Sequence, residues 1–399
     1  FRSLDAARAK AAELGCGGAA YPFMADADGA ESCTLWQFAL LGVHITADVA
    51  WGVWHTYRVT GDLGLVAGGG IDVLVETARF WVSRVFFDQA TTSYVINRVL
   101  GPDEYHQGVD NNFYTNLLAR ENLLNTVRLL ETLERETPDA HAAALERLDL
   151  GAEEIARFAE VGRKIRLPYD EALGVHLQDD SFDRLEPHDL ANDPPGGALN
   201  TVWSYDRILR TQLLRQADVV AAHVICPHVA DDAQVARDYD YYEPKTTHDS
   251  SLSFCHHSIV AARLGRVDEA YDYFLKTARL DLDDLHGNAW QGIHTANMGG
   301  AWQCVVLGFG GVRWDEGRLS LAPQLPRQWR GFRFSIWFHG VRLRVAVRAD
   351  AVELSAAHGA LDLTLYGEPV RVGATPMTRS RPHRSSMQRR ERDSAKGTG

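Results

Sequence analysis

The sequence predicts a mainly α-helical chain, built from helical hairpins in series and followed by a small antiparallel β domain. Three observations carry this prediction. Apolar residues recur at helical spacing, as in the run Ile71, Leu74, Val75, Ala78, Trp81, Val82 and Val85. A short Gly61-Asp62 turn joins that run to an equally apolar one before it, which is the pattern of a helical hairpin. After Val312 the period changes to two, with Phe332, Phe334, Ile336, Phe338 and then Leu343, Val345, Val347 alternating with polar residues between Gly and Asp turns. The helical pattern by itself supports an α-rich toroid or bundle.

Taken in order, residues 1–14 predict an Ala-rich amphipathic helix, and 15–32 a glycine-rich loop carrying aromatics and acids. One buried helix is expected within 34–60 and another from the Gly61-Asp62 turn to about Phe87. On these apolar faces His44, Trp51, Trp54 and His55 read as core. The β-branched segment from Thr91 to Leu100 predicts a strand or extended entry to the next loop, and Leu117–Thr132 and Ala142–Arg163 predict two further helices. Asp170, Asp179 and Asp180 lack metal-ligand spacing and read as solvated acids, and DPPGG at 193–197 is a loop. From Arg371 the tail is basic, Ser-rich and without apolar periodicity, which predicts disorder. The expected division is therefore a helical unit over 1–311, a β unit over 312–370 and a tail over 371–399.

Composition narrows the function. The 399 residues, 45% of them apolar, suffice for a substantial core, and the net charge of −12 argues against nucleic acid as a partner. Five scattered cysteines, odd in number and without CxxC spacing, read as reduced thiols. No apolar run is long enough to cross a bilayer and no signal peptide opens the chain, so a cytoplasmic location with no membrane partner is expected. The chain does not begin with Met, and its opening residues already read as helix, which points to a fragment. Dinucleotide, Walker-type, HExxH and EF-hand patterns are absent, so neither a cofactor nor a metal is expected. A homodimer stays open.

The stretch GPDEYHQGVDNNFYTN, Gly101 to Asn116, puts Asp103 and Glu104 on a loop. Gly101-Pro102 breaks what precedes it, and an Asp or Asn cap opens a helix at about Asn112. A loop carboxylate beside Tyr105 and His106 is placed for partial desolvation, which suits a proton donor. Further on, HDSSLS sets Asp249, Ser250 and Ser251 at a helix start near Ser250 to Leu252, where free backbone donors and two hydroxyls form an anion pocket.

These segments resemble glycoside hydrolase family 65, the inverting disaccharide phosphorylases that include maltose, trehalose, kojibiose and nigerose phosphorylase. The match begins at GPDEYH with VDNN and YTN, and continues through Arg215-Gln216-Ala217-Asp218-Val219, HDSSLS, and Gly-Ile-His at 292–294 followed by Gly-Gly-x-Trp. The resemblance implies an (α/α)6 barrel, incomplete here because its first helices and an N-terminal β-sandwich precede the matched region, followed by a small C-terminal β-sandwich. It implies Glu104 as general acid, and Ser250, Ser251 and His294 as phosphate ligands. Gln216 is implied as a contact to bound glucose. Arg215 stands where the family has Lys, which keeps the charge and changes the donor geometry. In the glycine-rich loop, Glu31 and Phe23 are implied to contribute to the sugar pocket, with Phe23 where Trp is usual. The implied activity is phosphorolysis of an α-glucosyl disaccharide to β-glucose 1-phosphate, with inorganic phosphate as co-substrate. The alternatives are an inverting hydrolase, with Glu243 or Asp249 as base, and a degenerate carbohydrate-binding protein.

Overall fold

The computed structural model describes residues 2–315 and 317–382. Helix α1 (Leu4–Glu13) leads into the glycine-rich loop, and α2 (Trp36–Leu41) and α3 (His44–Thr60) follow. The single helix expected over 34–60 is thus two. The break falls at Gly42, where an added Cβ would sit 2.5 Å from the Phe23 ring and 2.7 Å from the Phe38 carbonyl oxygen. After the short α4 (Leu63–Leu65) and a π-helical turn at Val66–Gly70 comes α5 (Ile71–Arg84), whose Ile71, Leu74, Val75, Ala78 and Trp81 are buried as the spacing predicts.

Two short hairpins, β1 (Phe86–Asp88) with β2 (Ser93–Val95) and β3 (Val99–Leu100) with β4 (Gln107–Val109), cross the end of this layer, and the second of them holds the Glu104 loop. The Asn112 side chain then accepts a hydrogen bond from Thr115 N at 2.8 Å and caps α6 (Phe113–Glu136). This long helix packs on α3, α5 and α8 (Ala152–Lys164). Between them α7 (Pro138–Leu148) ends at Asp149, held in the left-handed region at φ 47°, so the helix expected from Ala142 to Arg163 is divided there. Asp179, expected to be solvated, is fully buried, and its Oδ1 accepts from the backbone and hydroxyl of Ser181.

The hairpin β5 (Tyr169–Asp170) with β6 (Val175–His176) and the short helices α9 (Leu199–Val202) and α10 (Tyr205–Leu209) precede a last group of helices. These are α11 (Val219–Ile225), α12 (Asp232–Tyr242), α13 (Ser253–Arg263), α14 (Val267–Arg279) and α15 (Thr295–Gln303). Their paired packing, α13 on α14 and α11 on α13, is that of an incomplete (α/α)6 ring. One continuous core with Trp81, Phe113, Phe158 and Phe309 runs through it. Burying each such aromatic contributes about 1.5–3 kcal/mol. None of the helices among the described residues is long and apolar enough to cross a membrane.

The β region is two four-stranded sheets. One is β14 (Met377–Ser380), β11 (Ala351–Ala357), β10 (Val341–Arg348) and β9 (Gly331–Phe338), all antiparallel. The other is β13 (Glu368–Val372), β12 (Leu361–Leu365), β8 (Arg318–Leu321) and β7 (Arg313–Asp315), in which β8 and β12 pair in parallel. No hairpin joins these two strands, since the chain visits the opposite sheet between them, so their direction is free to match. The tail expected from Arg371 is corrected over its first ten residues. Met377–Ser380 pairs with Ala351–Leu354, because the exposed edge of β11 offers its backbone groups to a strand of little apolar content. The remainder of the expected tail, 383–399, lies outside the described residues. Val59 O accepts from His339 N at 2.8 Å, and Arg58 Nη2 donates to Trp314 O at 2.5 Å, tying the sandwich to α3.

Candidate active site

The acid loop is built on Asp103. Its side chain is buried and accepts from Arg215 N at 2.7 Å, Gln178 Nε2 at 3.0 Å and His106 Nδ1 at 2.6 Å. The other ring nitrogen of His106 lies 2.8 Å from the Thr211 carbonyl oxygen. Both nitrogens therefore face acceptors, and the imidazole satisfies both only as the doubly protonated cation. Burial works against that charge, but the bond and the charge of Asp103 outweigh it, and the His106 pKa is raised. Asp218 lies below. Its Oδ2 accepts from Asn112 Nδ2 at 3.0 Å and Asp103 N at 3.3 Å, and burial, helped by the nearby Asp103 charge, pushes its pKa up to about 8. Gly101 is required here, since a Cβ would stand 2.3 Å from Asn112 Nδ2 and 2.4 Å from Asp218 Oδ2.

On this base Glu104 is held with its side chain 21% exposed, and its carboxylate meets the Arg215 guanidinium. Arg215 Nε also donates to Asp249 O at 3.2 Å. Next to it Gln216 donates to Pro102 O and accepts from the Ser250 hydroxyl. The Asp249 carboxylate accepts from Tyr105 Oη (2.8 Å), Leu199 N (2.9 Å) and Thr247 Oγ1 (2.7 Å). Helix α13 begins at Ser253, later than the expected Ser250 to Leu252, because Ser250 Oγ accepts from Leu252 N at 3.3 Å and closes a turn ahead of the helix. Ser250 and Ser251 thus lie on a turn preceding the helix start. His248 beside it is held at φ 59°, a left-handed conformation that costs a non-glycine residue of order 1–3 kcal/mol.

His294 stands before α15, with Nδ1 donating to Asp281 Oδ1 at 2.6 Å and its backbone N donating to Asp281 Oδ2 at 2.9 Å. That pairing directs Nε2 away from Asp281, toward Asn288 Nδ2 at 3.5 Å. His286 stacks with Phe254, their ring centroids 6.3 Å apart. Burial lowers its pKa, and it feels the charges of Asp249, His294 and Arg215.

The structure thus brings Glu104, Arg215, Gln216 and Ser250 into one chain of contacts, with Ser251 on the same turn, while the hydrogen-bond partners of His294 are Asp281 and Asn288. Glu31 and Phe23 belong to a second group. Glu31 accepts from Lys10 Nζ (2.5 Å), Phe23 N (2.7 Å), Met24 N (3.0 Å) and Cys33 N (3.1 Å), and Phe23 packs edge-on against Phe38 and His44. Sequence reasoning missed the parts played by Asp103, His106, Asp218 and His286. The GPDEYH spacing could have flagged the first pair, since it puts an acid three residues before a His, but nothing local marks Asp218 or His286. Among the described residues, His176, His223 and Asp238 are close enough together to hold an ion. Both imidazoles lie within 2.8 Å of one Asp238 oxygen, and His223 Nδ1 is buried without a hydrogen-bond partner.

Residues 1–303 match the glycosyl hydrolase family 65 central catalytic domain and 312–372 the C-terminal domain of the same family. An alpha,alpha-trehalose phosphorylase of Geobacillus stearothermophilus is 39% identical over 92% of this chain and 48% of its own length. A kojibiose phosphorylase of Caldanaerobacter subterraneus subsp. tengcongensis is 36% identical over 90% of this chain and 48% of its own. A solved structure of a candidate kojibiose phosphorylase from the human microbiome superposes with a TM-score of 0.88 at 30% identity, covering 96% of this chain and 56% of that one. The chain spans about half the length of the curated relatives it matches. With both family domains matched in order along a chain that keeps the GPDE loop and the HDSS turn in one group, this chain belongs to glycosyl hydrolase family 65.

Proposed function

We propose that this protein carries out inverting phosphorolysis of an α-glucosyl disaccharide of the maltose, trehalose, kojibiose or nigerose class, with inorganic phosphate as co-substrate and no cofactor. Glu104 protonates the bridging oxygen as the C1–O bond breaks. A phosphate oxygen forms the new bond to C1 from the opposite face, giving β-glucose 1-phosphate and the released sugar. Ser250, Ser251 and His294 hold the phosphate, Gln216 and Arg215 meet the glucosyl unit, and Glu31 and Phe23 border the sugar pocket.

The observation that carries this reading is the direct linkage of Glu104, through Arg215 and Gln216, to the Asp249–Ser250 turn. An inverting hydrolase needs a second carboxylate free to activate water, about 6.5–9.5 Å from the acid. Asp249 accepts its three hydrogen bonds on Oδ2 and Glu243 takes the Tyr273 hydroxyl on Oε1 at 2.7 Å, so each is held by its neighbours through one oxygen. Phosphate, already an anion, needs a cradle of donors in place of a base. The test is to incubate the complete protein with each disaccharide with and without phosphate. β-Glucose 1-phosphate formed only with phosphate is the expected result, and glucose release independent of phosphate overturns it.

A further inference from the structure

The Arg215 guanidinium stands between two acidic or anion-seeking elements. Its Nη1 meets the Glu104 carboxylate, and its Nε donates to the Asp249 carbonyl, one residue before the Ser250–Ser251 turn. The backbone of Arg215 is fixed to buried Asp103 at 2.7 Å, so the stem is anchored while the head, on a side chain 27% exposed, is the part with room to turn. An oxyanion entering at the turn would meet a planar fork of donors suited to bidentate binding, in competition with Glu104.

We propose that Arg215 couples phosphate binding to the proton donor: a phosphate at the Ser250–Ser251 turn draws the guanidinium off Glu104, and Glu104 takes up its proton only when the nucleophile is in place. This rests on the function proposed above and deepens it. Apart from the O–H bond that forms on Glu104 as a solvent O–H gives up its proton, the exchange makes and breaks no covalent bond. One cation changes partner, from carboxylate to phosphate, and one proton moves from solvent to Glu104. Its consequence is selectivity, because a donor that is deprotonated while phosphate is absent cannot assist attack by water. The groups around this pair are Asp103, which holds the Arg215 backbone, and Asp249, whose carbonyl takes Arg215 Nε and whose carboxylate takes the Tyr105 hydroxyl, with the His286 imidazole near enough to feel the Asp249 and Arg215 charges. Burial lowers the Arg215 pKa and the Asp249 and Asp103 charges oppose it, but a guanidinium stays protonated in either position, so the switch is in its partner and not in its protonation.

The test is isothermal titration of the complete protein with inorganic phosphate in two buffers of different ionisation enthalpy, which counts the protons exchanged on binding. Wild type is compared with Glu104→Gln, so that protons exchanged by phosphate itself cancel. The expected result is that wild type takes up more protons than Glu104→Gln across the pH range in which Glu104 titrates. In an Arg215→Gln background the same Glu104→Gln comparison is expected to show no difference, and in an Arg215→Lys background a smaller one. Equal proton uptake by wild type and Glu104→Gln overturns the coupling, as does a wild-type-sized difference that persists in Arg215→Gln. Phosphorolysis rates separate the two levels. If Glu104→Gln is inactive while proton uptake is equal, the coupling alone fails. If Glu104→Gln keeps full activity, the proposed function fails with it.

Discussion

Two loops of this molecule carry a glutamate among aromatic residues, and the two carboxylates have opposite surroundings. Glu31 accepts from three backbone amides of its own loop and from Lys10, so its charge is satisfied locally and holds residues 23–33 in shape. Glu104 sits on a loop whose shape is kept by its neighbour Asp103, and among the described residues the hydrogen-bond partner of its carboxylate is a side chain 111 positions away, Arg215. A carboxylate saturated by backbone donors has little left to offer a substrate. One whose partner is the head of a long side chain can exchange it. In the acid loop Asp103 performs the structural task and leaves Glu104 free for the chemical one proposed above, whereas in the glycine-rich loop Glu31 performs the structural task itself.

The sharpest way to break this contrast is to remove each acid. Glu104→Gln is expected to lower phosphorolysis by roughly 10²–10⁴-fold with little change in unfolding midpoint, as for loss of a general acid. Steady-state rates and denaturant unfolding of the complete protein check both halves. His106→Gln attacks the support under Glu104. Leaving Asp103 buried without its cation is expected to cost about 3–5 kcal/mol, read by urea unfolding. Because the His106 pKa is raised in the fold, the contribution of this pair is complete below about pH 6.5 and is lost as pH rises through the folded value. The variant should lack that alkaline decline.

Glu31→Gln should cost less, about 1–3 kcal/mol for donors left poorly matched. Burial raises the Glu31 pKa, but the Lys10 bond and the backbone amides outweigh it and the net shift is downward. Its contribution is therefore present above the unfolded value near pH 4.3 and is lost as pH falls through the lower folded value, and the variant should show a shallower acid limb. The smallest effect is expected for Asp218→Asn. With a folded pKa of about 8, the carboxyl is largely protonated at pH 7, and the amide reproduces its shape. Unfolding below about pH 4, where the carboxyl is protonated in both the folded and the unfolded state, should change by less than about 1 kcal/mol. Wild type should lose stability between about pH 4 and 8, as the unfolded state ionises while the fold resists it, and the variant should not.

Much of this fold is legible in the amino-acid pattern. Helical spacing locates the buried faces of α5 and α6, and the change to period two locates the sandwich, whereas on α3 the buried residues are His44, Thr46, Ala47 and Ala50 and the spaced Ile45, Val49 and Val53 are half-buried. Local signals fail where a distant contact decides the outcome. The break at Gly42 stands where the Phe23 ring leaves no room for a side chain, and Asp179 is buried although its neighbourhood in sequence is polar. Met377–Ser380 becomes a strand because β11 has an edge to offer.

What the sequence determined by itself was the kind of elements and the motif that marks Glu104, since periodicity, capping and turn chemistry act over a few residues. Only the tertiary structure decided which groups surround that carboxylate. Its partners come from segments more than one hundred residues apart, and their energies depend on burial and on distances that no local pattern encodes.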